Sequence, residues 1–440
     1  MIALTCGLLL ALPQDPHAYD PVRAAREPNY QRRVTPEVLV VSEVAPAVVR
    51  IESTFTVLAG WDILSGNRID RDSTSTGTGF VVYEDGYIVT NYHVVANGER
   101  ISVRFDSDPA SETFPAQLVS HVTAEDLALL KIEGDGRKFP VVRMGTSSDL
   151  MIGERVLAIG NPLQQELSVS AGIISGLGRD IVLPDLGLHF TDLLQTDASI
   201  NPGNSGGPLL NINGEVIGIS TVVDRGAENM GFAIPVDRVR EVIADQLFAP
   251  ELARAWLGFD LADHSLEVAR VVPGGPAAAA GLVPGERILA IGDTEIASSI
   301  EYLRKRMPLL PKEPVRLRVA GPGGERNLVL VAWAKTDGLL FERAGFTVSL
   351  KVYNPPLLGV ELICPQGPAV DLGMEAADVI EAVRVQGSRQ ALSLHSPEAF
   401  AGLVSKLAPG TVLEIDVLRD DNGNRRLEPN ELYKGKLVLR

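Results

Sequence analysis

From about residue 47 to residue 235 the chain places apolar and polar positions in short runs with the two-residue period of strands. Ala47-Val-Val-Arg-Ile51 alternates in this way. Gly79-Phe-Val-Val-Tyr83 and Tyr87-Ile-Val-Thr90 flank Asp85-Gly86, and Leu209-Leu-Asn-Ile212 and Glu215-Val-Ile-Gly-Ile219 flank Asn213-Gly214. Both pairs predict hairpins, because Asp-Gly and Asn-Gly accept the left-handed turn that joins twisted strands. Further strands are predicted over Ile101–Phe105, Ala116–Ser120, Leu127–Ile132, Arg155–Ile159, Ser168–Ser175 and Gly231–Ile234. The period then changes: Val236, Val239, Val242, Ile243 and Leu247 recur at helical spacing, so a helix closes this region. Upstream, Thr35-Pro36 reads as an N-cap followed by proline at the first helical position, with the helix ending near Pro46. Residues 13–34 have no period and read as a flexible arm.

After residue 250 two segments resemble each other. Trp256-Leu-Gly-Phe259 precedes Val271-Val-Pro-Gly-Gly-Pro-Ala277 and Gly285-Glu-Arg-Ile-Leu-Ala-Ile291. Leu358-Gly-Val360 precedes Cys364-Pro-Gln-Gly-Pro-Ala369 and Ala377-Asp-Val-Ile-Glu-Ala-Val383. The spacing predicts two tandem copies of one small domain, joined by a segment from about Lys335 to Pro356. The second copy has drifted: Met374-Glu-Ala-Ala-Asp378 lacks a counterpart of Gly285.

Composition narrows the classes. The 440 residues are 45% hydrophobic and 22% charged, which excludes wholesale disorder, and 42 glycines with 29 prolines favour many short strands. A net charge of −16 argues against nucleic acid or an anionic membrane surface as the main partner. Cys6 and Cys364 are the two cysteines, so a Cys-ligated zinc site is excluded, and so is an internal disulfide once a leader carrying Cys6 is removed. The run Ile2–Leu12 is too short to span a bilayer and suits the apolar part of an export signal over residues 1–12, although no basic stretch precedes it. A buried N-terminal segment is the alternative, and membrane association is expected through the leader alone.

Gly203-Asn-Ser-Gly-Gly-Pro208 carries the strongest chemistry. A nucleophilic serine needs a tight turn that presents its hydroxyl, with backbone N–H groups aimed at an oxyanion and glycines that let substrate approach. A glycine-rich hairpin turn is the plain alternative. His93 lies at the end of the strand Ile88–Asn91, and Asp126 opens the apolar run Asp126-Leu-Ala-Leu-Leu-Lys131, which would bury a carboxylate beside an imidazole. The order His93, Asp126, Ser205 is one of the known arrangements of a catalytic triad. His17, His121, His189, His264 and His395 lack such a setting, and His121 reads as a surface residue.

On these residues the chain resembles the HtrA family of serine endoproteases. The matching stretches are Gly77-Thr-Gly-Phe80, Asp85-Gly-Tyr-Ile-Val-Thr-Asn91, Asp126–Ile132, Ala158-Ile-Gly-Asn-Pro162, Gln195-Thr-Asp-Ala198, Ile200–Leu209 and Gly231-Phe-Ala-Ile-Pro235. The resemblance implies a mainly β fold: a chymotrypsin-like double β-barrel at 35–248, then PDZ domains, small and α+β, at 252–335 and 345–440. It implies Ser205 as nucleophile, His93 as general base and acid, and Asp126 as the group that orients the ring. Backbone N–H groups of Gly203, Asn204 and Ser205 would form the oxyanion hole, at about 3–4 kcal/mol per donor. Gly218, Ile219 and Ser220 would wall the primary specificity pocket and favour a small or medium apolar side chain; a plain strand is the alternative there. Leu257-Gly-Phe259, and Leu358-Gly-Val360 in the second copy, would cap a peptide carboxylate while the peptide adds as a strand. The alternative is a domain that only packs. Tyr92 stands where the family often has Asn, Leu163-Gln-Gln-Glu166 replaces a more glycine-rich loop, and residues 178–192 correspond to the loop that senses activation.

The activity so implied is ATP-independent cleavage of unfolded or damaged proteins after export, by a homotrimer or higher homo-oligomer, with peptide C-termini as regulators. No cofactor is expected. No nucleotide-binding Gly-rich loop ending in Lys-Ser/Thr and no His-Glu-x-x-His is present, so ATPase and metalloprotease readings lack support. A chaperone or peptide-binding scaffold with a latent protease domain is the competing class. Outside the family pattern, Asp420, Asn422, Asn424, Glu428 and Glu431 fall at positions one, three, five, nine and twelve of an EF-hand-like calcium loop. Arg425 stands where that loop needs glycine, and a polar hairpin loop accounts for the same residues.

Overall fold

The computed structural model describes residues 19–440 except 62–67, 108–111, 135, 162–166, 184–187, 224–229, 250–251, 352–355, 389–390, 393, 422–426 and 428–430. The chain forms two compact units, Met1–Leu247 and Phe248–Arg440. The proposed leader therefore lies outside the described residues.

In the first unit six strands close a barrel in the order Val48–Trp61, Arg68–Tyr83, Tyr87–Asn91, Leu127–Ile132, Thr113–Val122 and Arg100–Arg104. Its interior holds Val49, Ile51, Val81, Ile88, Val103, Leu130 and Ile132. Tyr87–Asn91 is buried at every position, because strands pair on both its edges and side chains cover both its faces. The second sheet runs Pro208–Asn211, Arg155–Gly160, Ser168–Leu183, Leu188–Thr196, Gly231–Pro235, Glu215–Val223 and Arg143–Met144. Pairing of Pro208–Asn211 with Glu215–Val223 closes six of these strands into a second barrel. Both predicted hairpins form, with Gly86 at φ 87° and Gly214 at φ 74°, in the left-handed region that glycine enters without strain.

The predicted closing helix is Val236–Val242, continued through Ile243–Leu247. It buries Val236, Val239, Val242, Ile243 and Leu247, and the Leu247 carbonyl accepts the buried Ser120 hydroxyl at 2.6 Å. The predicted helix after Thr35 spans Pro36–Val44, although the Thr35 side chain caps nothing. The described part of the segment read as a flexible arm contains two short helices, Pro21–Arg26 and Pro28–Gln31. Proline at the start of each fixes φ for a first turn, and Tyr19 stacks on Tyr30 with ring centroids 6.5 Å apart. Among the described residues no helix is long and apolar enough to cross a membrane.

The second unit contains both copies of the repeat. The first has a four-stranded sheet in the order Thr294–Glu295, Arg287–Ile291, Pro314–Gly321 and Gly324–Val331, two short strand pairs, and a helix Ser299–Arg306 capped by the Ser298 hydroxyl. The second has a five-stranded sheet, Phe346–Lys351, Leu357–Ile363, Val379–Val385, Val412–Leu418 and Leu432–Val438, and a helix Pro397–Ser405 capped by Ser396. The segment read as a joining stretch opens with a helix, Lys335–Arg343, that packs against both the Pro397–Ser405 helix and the Phe346–Lys351 strand. Trp256, Trp333 and Phe341 meet between the copies, with Trp333 and Phe341 edge to face at 5.1 Å. Gly338 permits this meeting, because a Cβ there would collide with the Trp256 ring.

Candidate active site

His93 sits in the short helix Tyr92–Val95, directly after the buried strand Tyr87–Asn91. Asp126 follows a tight turn, Thr123–Glu125, and takes φ 51°. Three residues in a row clamp it. Asn91 Nδ2 and Tyr92 N–H donate to its carbonyl at 3.0 and 2.9 Å, and His93 N–H donates to Oδ1 at 2.8 Å. Asp126 Oδ2 lies 2.7 Å from His93 Nδ1 and accepts the Thr221 hydroxyl at 3.2 Å. Asp126 is 1% exposed, whereas the His93 side chain remains one-third open at 33%. A carboxylate can only accept, so Nδ1 carries the proton and Nε2 keeps its lone pair on the open side.

Ser205 Oγ donates to the Thr221 carbonyl at 3.1 Å. Thr221 thus holds Asp126 with its hydroxyl and Ser205 with its carbonyl. The turn around Ser205 is pinned from the first barrel. Thr78 Oγ1 donates to Gly203 O at 2.6 Å and accepts Asn161 N–H at 3.0 Å, while Thr78 N–H donates to Ser205 O at 2.9 Å. Gly203 takes φ 107°, and a Cβ at Gly206 would collide with Thr78 O and the Thr90 hydroxyl. Of the three N–H groups expected to form an oxyanion hole, that of Asn204 is spent on Asn201 O at 2.9 Å. Those of Gly203 and Ser205 have no intramolecular acceptor among the described residues.

Gly218, Ile219 and Ser220 are fully buried in the Glu215–Val223 strand. Ile219 is paired to Pro208 on one side and Ile234 on the other. The residue that reaches Ser205 and Asp126 is the next one, Thr221. Sequence reasoning missed Thr78, inside the Gly77–Phe80 stretch, and Thr221, just beyond the strand segment it singled out. It also missed that His121 stacks on Tyr92, centroids 4.1 Å apart, next to His93 in the chain. The described parts of residues 178–192 pair as antiparallel strands, and Asp192, at φ 60°, donates its N–H to Asp180 Oδ1 at 3.1 Å.

In the second unit Gly258 takes φ 80°, its carbonyl accepts Val272 N–H at 2.9 Å, and the Leu257 carbonyl accepts Ala277 N–H at 3.1 Å. The Leu257 and Gly258 carbonyls are thus spent on bonds within the domain. Leu358–Val360 does not repeat this geometry. It lies inside the Leu357–Ile363 strand, with Leu358 and Gly359 paired to Leu350 and Ser349 on one edge and to Ile380 and Val379 on the other. The counterpart is Ala344-Gly345-Phe346. Gly345 takes φ 88°, its carbonyl accepts Cys364 N–H at 2.8 Å, and a Cβ there would meet Pro368 Cδ at 2.9 Å, the same distance as from Gly258 to Pro276 Cδ. Of the calcium-loop residues, Asn422, Asn424 and Glu428 lie outside the described residues. Glu431 is buried, and its carbonyl accepts Arg419 N–H at 3.2 Å. Among the described residues no group of three or more His, Cys, Asp or Glu is placed to hold a metal ion.

Two barrels with a Ser, His and Asp brought to one site, followed by the repeated small domains, define a trypsin-like serine protease with PDZ domains. Residues 77–219 match the trypsin-like peptidase domain family and residues 267–321 match the PDZ domain family. The chain is 34% identical over 388 residues to a "Probable periplasmic serine endoprotease DegP-like" of Hahella chejuensis, covering 80% of each chain. It is 33% identical to the protein of the same name in Ectopseudomonas mendocina, over 79% of this chain and 78% of the relative. Among solved structures it is similar to "HtrA-type protease AlgW with decapeptide", at 30% identity over 68% of this chain and 99% of that one, with a TM-score of 0.42. The chain belongs to the family of DegP-like, HtrA-type serine endoproteases.

Proposed function

We propose that this protein is an exported, extracytoplasmic endopeptidase that cleaves unfolded or damaged proteins without ATP. The observation that carries the reading is the single hydrogen-bonded path from His93 through Asp126 and Thr221 to Ser205. In the reaction the Ser205 hydroxyl swings from the Thr221 carbonyl toward His93 Nε2, gives up its proton there, and Oγ attacks the scissile carbonyl carbon. The oxyanion takes hydrogen bonds from Gly203 and Ser205 N–H. His93 then protonates the leaving amine, and water, deprotonated by His93, hydrolyses the acyl-enzyme. Asp126 keeps the imidazole in the required tautomer and stabilises its charged form.

The protease domain extends over 35–248, the first PDZ domain over 252–335 and the second over 345–440, the latter entered through the Lys335–Arg343 helix. The Leu257–Phe259 loop caps peptide C-termini and regulates the protease. The working form is a homotrimer or a larger homo-oligomer. The periplasmic naming of the relatives supports the location, and Ile2–Leu12 serves as the export signal.

The bond from Ser205 to Thr221 also supports a resting state, and with it the second reading, a peptide-binding scaffold with a latent protease domain. Casein cleavage by the parent chain and by Ser205→Ala, with and without a C-terminal peptide, decides. Cleavage that Ser205→Ala abolishes without altering fold or oligomer supports the enzyme. Residual cleavage near the parent rate would mean a different nucleophile, and no cleavage or serine-probe labelling under any condition would favour the scaffold.

A further inference from the structure

The turn that carries Ser205 rests on the end of the Arg155–Gly160 strand and on Asn161, which follows it. Backbone meets backbone there. A Cβ on Gly160 would lie 2.8 Å from Asn204 Cα, and one on Gly207 would lie 2.3 Å from Ile159 O. Asn161 N–H donates to the Thr78 hydroxyl at 3.0 Å, which aims that hydroxyl's own proton at Gly203 O, 2.6 Å away. The placement of Asn161 is therefore passed to the Gly203–Ser205 turn through two hydrogen bonds.

Asn161 is buried, and its side chain is held from the other barrel. Its Nδ2 donates to Asp106 Oδ2, two residues beyond the strand Arg100–Arg104. The Asp106 side chain is only 8% exposed. Arg50 and Arg104 pair across neighbouring strands, and their Nε atoms stand 3.5 and 3.6 Å from the Asp106 carboxylate, with Glu52 3.6 Å from Arg50. Two cations directly opposite each other destabilise a strand pair, so an anion between them has a structural use. That use does not require Asn161. Burial pushes the Asp106 carboxyl pKa up, aided by Glu52 and in spite of both guanidiniums and the Asn161 amide. Ease of holding a charge alone therefore does not account for a carboxylate at this place.

We propose that Asp106 is a positioning residue for peptide-bond cleavage: its carboxylate holds the Asn161 side chain, so that Asn161 N–H and the Thr78 hydroxyl keep the Gly203–Ser205 turn in the geometry that binds the oxyanion. Asp106 touches neither substrate nor triad and acts through Asn161 and Thr78 in turn. The inference rests on the reading of Ser205 as the nucleophile.

The test uses the full chain and its Asp106→Ala, Asp106→Asn and Asn161→Ala variants, with Ser205→Ala as the control for the nucleophile. Each is read by kcat and KM on a fluorogenic peptide and by thermal unfolding. Asp106→Ala and Asn161→Ala both remove the bond. Each should lower kcat about tenfold with KM changed less than about twofold, because the oxyanion forms only on the way to the transition state. The double variant should lose no more than either single one, since both act on one bond. Asp106→Asn keeps an oxygen that can accept the Asn161 amide but removes the charge between Arg50 and Arg104. It should lower the melting temperature yet recover most of the kcat that Asp106→Ala loses, a separation that a purely structural role would not give. The positioning role is overturned if folded Asp106→Ala keeps the parent kcat, if Asp106→Asn loses as much as Asp106→Ala, or if the two losses multiply in the double variant. Should Asp106→Ala not fold, parent kcat in Asn161→Ala overturns it just as well. Cleavage that survives in Ser205→Ala would instead remove the nucleophile reading, and the inference with it.

Discussion

Thr78 offers the sharpest test of how the turn carrying Ser205, the proposed nucleophile, is held. Its hydroxyl donates to Gly203 O at 2.6 Å and accepts from Asn161 N–H at 3.0 Å, at a position 0% exposed. Thr78→Val keeps the shape and the Thr78 N–H bond to Ser205 O, but orphans one carbonyl and one N–H. Each orphaned buried group costs about 1–3 kcal/mol. The Asn161 side should appear as lost stability. The Gly203 side should appear as a less ordered oxyanion loop, and since about 1.4 kcal/mol is a factor of ten in rate, kcat/KM should fall about 5- to 150-fold. The assay pairs casein or fluorogenic-peptide turnover with thermal unfolding. Thr78→Ser, which keeps the hydroxyl, should recover most of the activity. If Thr78→Val retains the parent kcat/KM, or if Thr78→Ser loses as much as Val does, the hydroxyl bridge does not hold the loop.

Asp237 should make the first unit sensitive to acid. Its carboxylate accepts Ser147 N–H and Ser148 N–H at 2.9 Å and Arg240 Nη1 at 2.6 Å. Partial burial pushes its pKa up, but these hydrogen bonds, with those from the Thr146 and Ser147 hydroxyls, outweigh it and hold the pKa well below the usual carboxylate range. A depressed folded pKa gives stability that is present above the unfolded value near 3.9 and lost as pH falls through it toward the folded value. Asp237→Asn should therefore cost about 1–2 kcal/mol between pH 5 and 8, with the gap closing below about pH 4; a gap that stays constant to pH 2.5 would refute this. Gly345→Ala should destabilise the second unit by about 1 kcal/mol or more, since φ is 88° and the new Cβ would meet Pro368 N and Ala369 N at 2.9 Å. Calorimetry showing an unchanged transition for that unit would mean that the loop conformation is not required there.

The sequence made the protease domain legible because its signals are local. Asp85-Gly86 and Asn213-Gly214 are turns by their own chemistry, and the helical spacing of Val236, Val239 and Val242 needs no partner to be read. Thr78 and Thr221 were not legible as site residues. Their roles come from groups 125 and 95 residues away, Gly203 O and the Asp126 carboxylate, and no short-range pattern marks them. The second loop was misplaced for a different reason. Leu358-Gly-Val360 copies the letters of Leu257-Gly-Phe259, but Gly359 is extended and paired on both edges, whereas Gly345 follows a helix instead of a strand. Identity of letters did not report the sign of φ, which is the property that makes the loop.

The tandem copies lean on each other through the very segments that brace their loops. Val272 and Cys364, whose N–H groups hold Gly258 and Gly345, belong to one cluster with Phe341, Trp256 and Trp333. Cys364 Sγ reaches Pro273 O at 3.5 Å, and a Cβ on Gly274 would meet Pro365 Cδ at 2.7 Å. The duplication has therefore ceased to be modular. Neither copy can be transplanted, swapped or expressed alone without laying bare an aromatic wall that its twin now covers. Unit Phe248–Arg440 should be inherited, engineered and unfolded as a single piece.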